Sequence, residues 1–231
     1  MPVMTATGLV HEVGSRLAVL RQRIEATGRD PGEVQVVAVT KGHGPEVCAA
    51  AVAVGLTDLG ESYAQELAAK ADDAALAGVR WHFVGGLQTK KVRALAGTVH
   101  LWQSVDRPGL VAELAHRAPT AKVLVQVALT DGPGRAGCPF AEVAALVAEA
   151  RAAGLGVEGL MGVGPAGAPE AARLPFRRLA RTAAELGLGT VSMGMSADVS
   201  VAVEEGATLV RVGTGLFGPR PARAAVRAWA E

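Results

Sequence analysis

Aromatic residues are scarce: one tyrosine, four phenylalanines and three tryptophans make up 3% of the 231 residues. That is too few for the stacking platforms on which single-stranded nucleic acids are held. An excess charge is also missing. The formal net charge is +1, whereas a nucleic-acid binder carries a basic surplus or stripe. Cysteine is limited to Cys48 and Cys138, neither in a Cys-x-x-Cys pair nor near a histidine at ligand spacing. A structural zinc site and a disulfide framework are thereby disfavoured, and two unpaired thiols fit a reducing cytosol. No apolar run reaches membrane-spanning length, and the first residues lack the basic and apolar regions of a signal peptide. The expectation is a soluble cytoplasmic protein with no nucleic-acid or membrane partner and no metal.

Lysine is scarce as well. Five lysines (Lys41, Lys70, Lys90, Lys91 and Lys122) stand against eighteen arginines. Where the chain needs a solvated cation it uses arginine, so a lysine at a special position draws notice. Lys41 closes the run 34–41, in which Val34, Val36, Val37 and Val39 read as a buried parallel strand. Gly42, His43, Gly44 and Pro45 follow as turn residues. The ends of such strands are where α/β folds place ligands. A desolvated lysine can lose its proton and attack a carbonyl, which arginine cannot. The competing reading is a strand-end lysine that snorkels to solvent.

Half of the residues are hydrophobic, enough for a sizeable core. Leu9, Val10, Val13, Leu17, Leu20 and Ile24 recur at helical spacing over 7–27, with Thr7 as cap. After the Lys41 strand, helices and short apolar strands alternate. Helices are expected near 45–54, 63–74, 88–96, 108–117, 141–153, 168–186, 197–205 and 221–230. Strands are expected to end near Glu61, Val84, Trp102, Val127, Met161, Met193 and Val212. Eight strands, apolar enough to need cover on both faces, suit a single (β/α)8 TIM barrel with an extra N-terminal helix, one domain over 1–231. A doubly wound open sheet is the alternative.

In a barrel the strand ends share one face, which brings together Lys41, Glu61 with Ser62, His82, Asp106, Gln126, Met161, the stretch 192–196 and the stretch 211–214. Ser196 reads as the N-cap of the helix after strand seven, and Gly213-Thr214-Gly215 follows strand eight. Loops after strands seven and eight commonly cradle a phosphate with N–H groups and hydroxyls. Ordinary cap and turn chemistry explains either loop alone, but both at these strands favour phosphate. Residues 213–218 also fit G-x-G-x-x-G, yet only thirteen residues follow Gly218. The βα unit and acidic residue of a dinucleotide site do not fit there. Arg211 interrupts an apolar strand and needs a partner, either a carboxylate such as Asp198 or Glu205, or a ligand. A lysine, a phosphate cradle and a buried arginine together match pyridoxal 5′-phosphate (PLP), with its aldehyde, phosphate and ring nitrogen. An arginine only donates, so it would keep that nitrogen unprotonated and weaken the ring as an electron sink. His82, between Trp81 and Phe83, reads first as a packed core histidine and second as a cofactor-lining one.

These stretches resemble a known family: Val37–Lys41, Gly60–Tyr63, Trp81–Gly85, Leu87-Gln88, Ser104–Asp106, Gly159–Met161, Ser192–Ser196, Val210–Thr214 and Phe217-Gly218. The chain is similar to the pyridoxal phosphate homeostasis proteins, relatives of the N-terminal barrel of alanine racemase. The resemblance implies PLP on Lys41, phosphate held by Ser196, Gly213 and Thr214, and Arg211 at the ring nitrogen. Ser62, His82 and Met195 complete the expected cofactor site. It also implies a monomer that buffers or delivers PLP to accepting apoenzymes. No turnover is expected, and amino acids are accommodated as external aldimines. Ser62 and Lys90 stand where the family usually has asparagine, Arg135 where it has lysine, and Ala128 where a polar residue is common. An amino-acid racemase is the competing function. Two-base racemization needs a second base, which alanine racemase draws from a separate C-terminal domain. This sequence is expected to lack it, and its only tyrosine is Tyr63.

Overall fold

Strand β1 (Gln35–Val39) pairs in parallel with β2 (Asp58–Glu61) on one side and with β8 (Leu209–Val212) on the other, and that second pairing closes the sheet. Between them run β3 (Arg80–Phe83), β4 (Val99–Val105), β5 (Lys122–Val127), β6 (Gly156–Gly162) and β7 (Thr190–Ser192), in sequence order. All eight are parallel, a closed barrel rather than the open sheet. The structure is a computed structural model and describes residues 5–130 and 136–220. The helix expected over 221–230, and Arg135, lie outside the described residues.

The strands are short because each needs only to span the barrel wall. Their side chains alternate between two cores. Val37, Leu101, Leu124, Met161 and Leu209 pack with one another as the inner core. Val123, Val125, Leu160, Val210 and Val212 belong to the larger cluster between sheet and helices. That alternation explains why the strands read as near-continuous apolar runs.

Helix α1 (Ala6–Glu25) precedes the barrel and buries Val13, Leu17, Leu20 and Ile24, a stripe spaced 4, 3 and 4. Its cap is Thr5, whose hydroxyl accepts from the Gly8 N–H at 3.2 Å, not Thr7. The connecting helices are α2 (Pro45–Ala53), α3 (Ala64–Ala71), α4 (Val92–Leu95), α5 (Pro108–Arg117), α6 (Val143–Ala152), α7 (Arg173–Glu185) and α8 (Val199–Glu204). The expected helix over 88–96 is a 3₁₀ turn (Thr89–Lys91) and one α turn; no side chain caps either piece. A short α9 (Thr214–Phe217) follows β8. Among the described residues, no helix is long and apolar enough to cross a membrane. Cys48 and Cys138 are buried free thiols; burial pushes each up to about 11.

Candidate functional site

Lys41 lies two residues past β1, on the turn that Gly42 makes with φ +75°. That turn is tied down from below. The Gly42 N–H donates to Glu66 Oε2 at 2.8 Å, and Lys70 Nζ donates to the Thr40 carbonyl at 2.9 Å. Lys70 also meets Glu61 Oε1 at 2.5 Å, and the Thr40 hydroxyl donates to the same oxygen at 2.7 Å. Glu61, Lys70 and Thr40 are fully buried. Lys70 thus stands against two carboxylates, Glu61 and, at 3.9 Å, Glu66, and burial still pushes the Glu61 carboxyl up. Lys41 itself is half-buried and makes no ion pair among the described residues. Burial first, then the nearby Arg220 and Arg211 cations, lower its ammonium pKa against the pull of Glu61 and Glu66. A neutral amine is thereby favoured, the form that attacks a carbonyl.

Above it opens a cavity of about 330 Å³, within the size range of small-ligand sites. It is lined by Val39, Lys41, His43, Val84, Val163, Met195, Ser196, Arg211, Gly213, Thr214 and Arg220. The charged side chains in that wall are all basic, so the pocket suits an anion.

The loops after β7 and β8 are stitched together across the cavity edge. Ser196 Oγ accepts from the Gly215 N–H at 2.9 Å. An oxygen already accepting there keeps its own hydrogen free to donate to a ligand. Ser196 is therefore not the cap of α8. Asp198 occupies that position and takes the Met195 N–H at 2.6 Å. Gly194 turns the chain with φ +90°, and its carbonyl accepts from the Arg211 N–H at 3.0 Å. A side chain at Gly215 would press on Ser196 Oγ and Val212 at 3.0 Å, so glycine permits the close approach. Two arginines of α1 hold the rear. Arg23 donates to the Ser196 carbonyl at 2.8 Å, and Arg16 to the Leu216 carbonyl at 3.2 Å.

Arg211 forms the cavity floor and is only 4% exposed. Neither expected carboxylate pairs with it. Glu205 is taken by Arg173 and Arg177 at 2.9 and 2.8 Å, and Asp198 acts only at a distance. Arg211 donates instead to Ser192 Oγ at 2.5 Å and the Gly162 carbonyl at 2.8 Å, both neutral. Burial pushes its guanidinium down to about 10, so it stays charged at neutral pH. A buried cation with only neutral partners is costly unless a ligand supplies the counter-dipole.

Of the residues singled out from the sequence, Lys41, Met195, Ser196, Arg211, Gly213 and Thr214 come together in the cavity wall. Ser62 and His82 do not line it. Ser62 is half-buried past β2, its backbone lying where a side chain at Gly85 would have to go. His82 is 1% exposed, inside the barrel between Asp58 and Gln103. The cavity adds Val39, His43, Val84, Val163 and Arg220. His43 was visible only as part of the turn after Lys41. Arg220 carried no signal against seventeen other arginines.

The family described as "Alanine racemase, N-terminal domain" matches residues 15–221. The pyridoxal phosphate homeostasis protein of Pseudomonas aeruginosa is 36% identical over 220 residues, covering 92% of this chain and 96% of the relative. That of Deinococcus radiodurans is 40% identical over 206 residues, 87% of this chain and 97% of the relative. Among solved structures, PipY of Synechococcus elongatus with PLP bound is similar with a TM-score of 0.78 and 33% identity. That match covers 89% of this chain and all of PipY.

Proposed function

The chain belongs to the pyridoxal phosphate homeostasis protein family, on the alanine racemase N-terminal barrel, and from that premise we propose that it binds PLP in this cavity and buffers or delivers it. The carrying observation is the pairing of Lys41, half-buried and without an ion pair among the described residues, with Arg211, a buried cation bonded only to neutral groups. When bound, PLP supplies an aldehyde that a primary amine can condense with and a pyridine ring that withdraws electrons. Lys41 would provide that amine. Arg211 directs donors, never acceptors, at the ring nitrogen and so opposes its protonation. Ser196, Gly213 and Thr214 hold the phosphate. On this reading the protein works as a monomer in the cytoplasm, passes PLP to accepting apoenzymes and admits amino acids to the cofactor without turning them over.

The test is spectroscopic. The purified protein is expected to be yellow, and borohydride should trap the adduct on Lys41. Lys41→Ala should abolish both the visible band and the adduct. An adduct mapped by mass spectrometry to Lys90, Lys91 or Lys122 would overturn the assignment.

A further inference from the structure

Arg211 is the inner end of a hydrogen-bonded chain that crosses the barrel. Arg211 Nη1 meets Ser192 Oγ at 2.5 Å, and Ser192 Oγ meets Gln103 Oε1 at 2.6 Å. Gln103 Nε2 meets His82 Nδ1 at 2.8 Å, and His82 Nε2 meets Asp58 Oδ1 at 3.0 Å. Arg80 closes the far end, its Nε 2.8 Å from Asp58 Oδ1. The members come from β8, β7, β4, β3 and β2. The five from Arg211 to Asp58 are each at most 7% exposed. We infer that Gln103 and Ser192 are positioning residues: they fix the guanidinium of Arg211 in the cavity floor while leaving its charge unneutralised.

The direction of the chain follows from its ends. Arginine cannot accept, so Arg211 donates to Ser192. The single hydroxyl hydrogen of Ser192 then goes to its other neighbour, Gln103 Oε1. That turns the Gln103 amide N–H toward His82, whose Nδ1 must accept. The imidazole proton therefore sits on Nε2 and is donated to Asp58, which can accept from Arg80 and His82 together. Every hydrogen from Arg211 to Asp58 points away from the cavity, and the one carboxylate lies four hydrogen bonds from Arg211. Burial works to raise the Asp58 carboxyl, but the hydrogen bonds from His82 and Arg80 outweigh it and hold it well below the usual range.

A carboxylate placed directly on Arg211 would have fixed the side chain equally well. It would also have satisfied the charge and occupied the donors that face the ligand. The neutral links avoid that. Stability alone gives no reason for such a chain, since replacing buried polar partners by apolar groups of like shape is often neutral. The surrounding interior, Val37, Leu101, Leu124, Met161 and Leu209, is apolar already.

The inference rests on the PLP reading only in its ligand arm; the first arm uses the full-length protein without ligand. In ¹⁵N spectra of histidine-labelled protein, assigned through bonds, His82 is expected as the Nε2–H tautomer with Nδ1 accepting. In the second arm, Ser192→Ala and Gln103→Leu should weaken PLP and pyridoxal alike, by about tenfold. The visible band from Lys41 should persist. The ring nitrogen of bound ¹⁵N-labelled PLP should move toward its protonated position. A merely structural chain would not move that resonance. An Nδ1–H tautomer in the wild type, or an unmoved ring-nitrogen resonance in both variants, would overturn the inference. If the wild type binds no PLP, the cofactor reading fails while the His82 tautomer still decides the direction of the chain.

Discussion

At the scale of single residues, chemistry turns on the protonation of Lys41. Its ammonium is disfavoured chiefly by burial and next by Arg220. The free amine is the reactive form, so imine formation with PLP should rise with pH. Its midpoint should lie below the ordinary lysine value of about 10.4. Arg220→Gln removes a cation that opposes the proton on Lys41, so the midpoint should move up. Stopped-flow absorbance across the alkaline range reads it; a downward shift would show that Arg220 acts otherwise. Lys41 and Arg211 were legible because each breaks a local rule, one a rare residue at a strand end, the other a charge in an apolar strand. The partners of Arg211 were not. Ser192, Gln103 and Asp58 are unremarkable alone, and only closure of the barrel brings Gln103 of β4 against Ser192 of β7. His82 shows the same limit. Its neighbours Trp81 and Phe83 announced burial, but a sequence does not say that the ring lies inside the barrel, hydrogen-bonded by Gln103.

At the scale of elements, the apolar periodicity of α1 was plain, and its purpose was not. Its buried stripe packs on the barrel, while Arg16 and Arg23 reach the carbonyls of Leu216 and Ser196. The extra helix thus braces both loops of the expected phosphate cradle from behind. Thr214→Ala removes a hydroxyl from the cradle itself. It should weaken PLP by one to two decades and leave pyridoxal, which has no phosphate, nearly unchanged. That follows from the roughly 1.5–3 kcal/mol of a hydrogen bond to a charged group. Arg23→Ala should act in the same sense but more weakly, about three- to tenfold, because it loosens the Ser196 loop without touching the ligand. Calorimetric titration with the two ligands separates the cases. Equal weakening of PLP and pyridoxal by Arg23→Ala would mean that α1 supports the whole pocket and not its phosphate end. Cap positions were the least legible feature. Thr5 and Thr7 are the same residue type two positions apart, and Ser196 and Asp198 are both good caps. The choice was made by tertiary bonds, Ser196 being taken by Gly215.

At the scale of the whole molecule, strand and helix alternation could be read directly, but an open sheet and a barrel share it. Closure is decided by Gln35–Ala38 of β1 pairing with Leu209–Val212 of β8, a contact between opposite ends of the chain. Closure also decides which proton acceptors share the cavity. Among the described residues lining it, the groups able to take a proton from a carbon at neutral pH are Lys41 and His43. Burial, then Lys70, favours His43 in its neutral, accepting form. Both hang from the turn after β1, two residues apart, and the proposed binding mode puts them on one side of the ligand. Racemization by two bases needs them on opposite faces of the reacting carbon. In the proposed binding mode Arg211 would meanwhile keep the ring nitrogen from the proton that stabilises a carbanion. An amino acid joined to the cofactor should therefore exchange its α-hydrogen on one face at most. Incubation with L-alanine in deuterated buffer is expected to give at most slow deuteration with retained configuration. Chiral chromatography and mass spectrometry read both. D-alanine formed over many turnovers per site, and lost in Lys41→Ala, would replace the carrier by a racemase and require a second base reaching the opposite face.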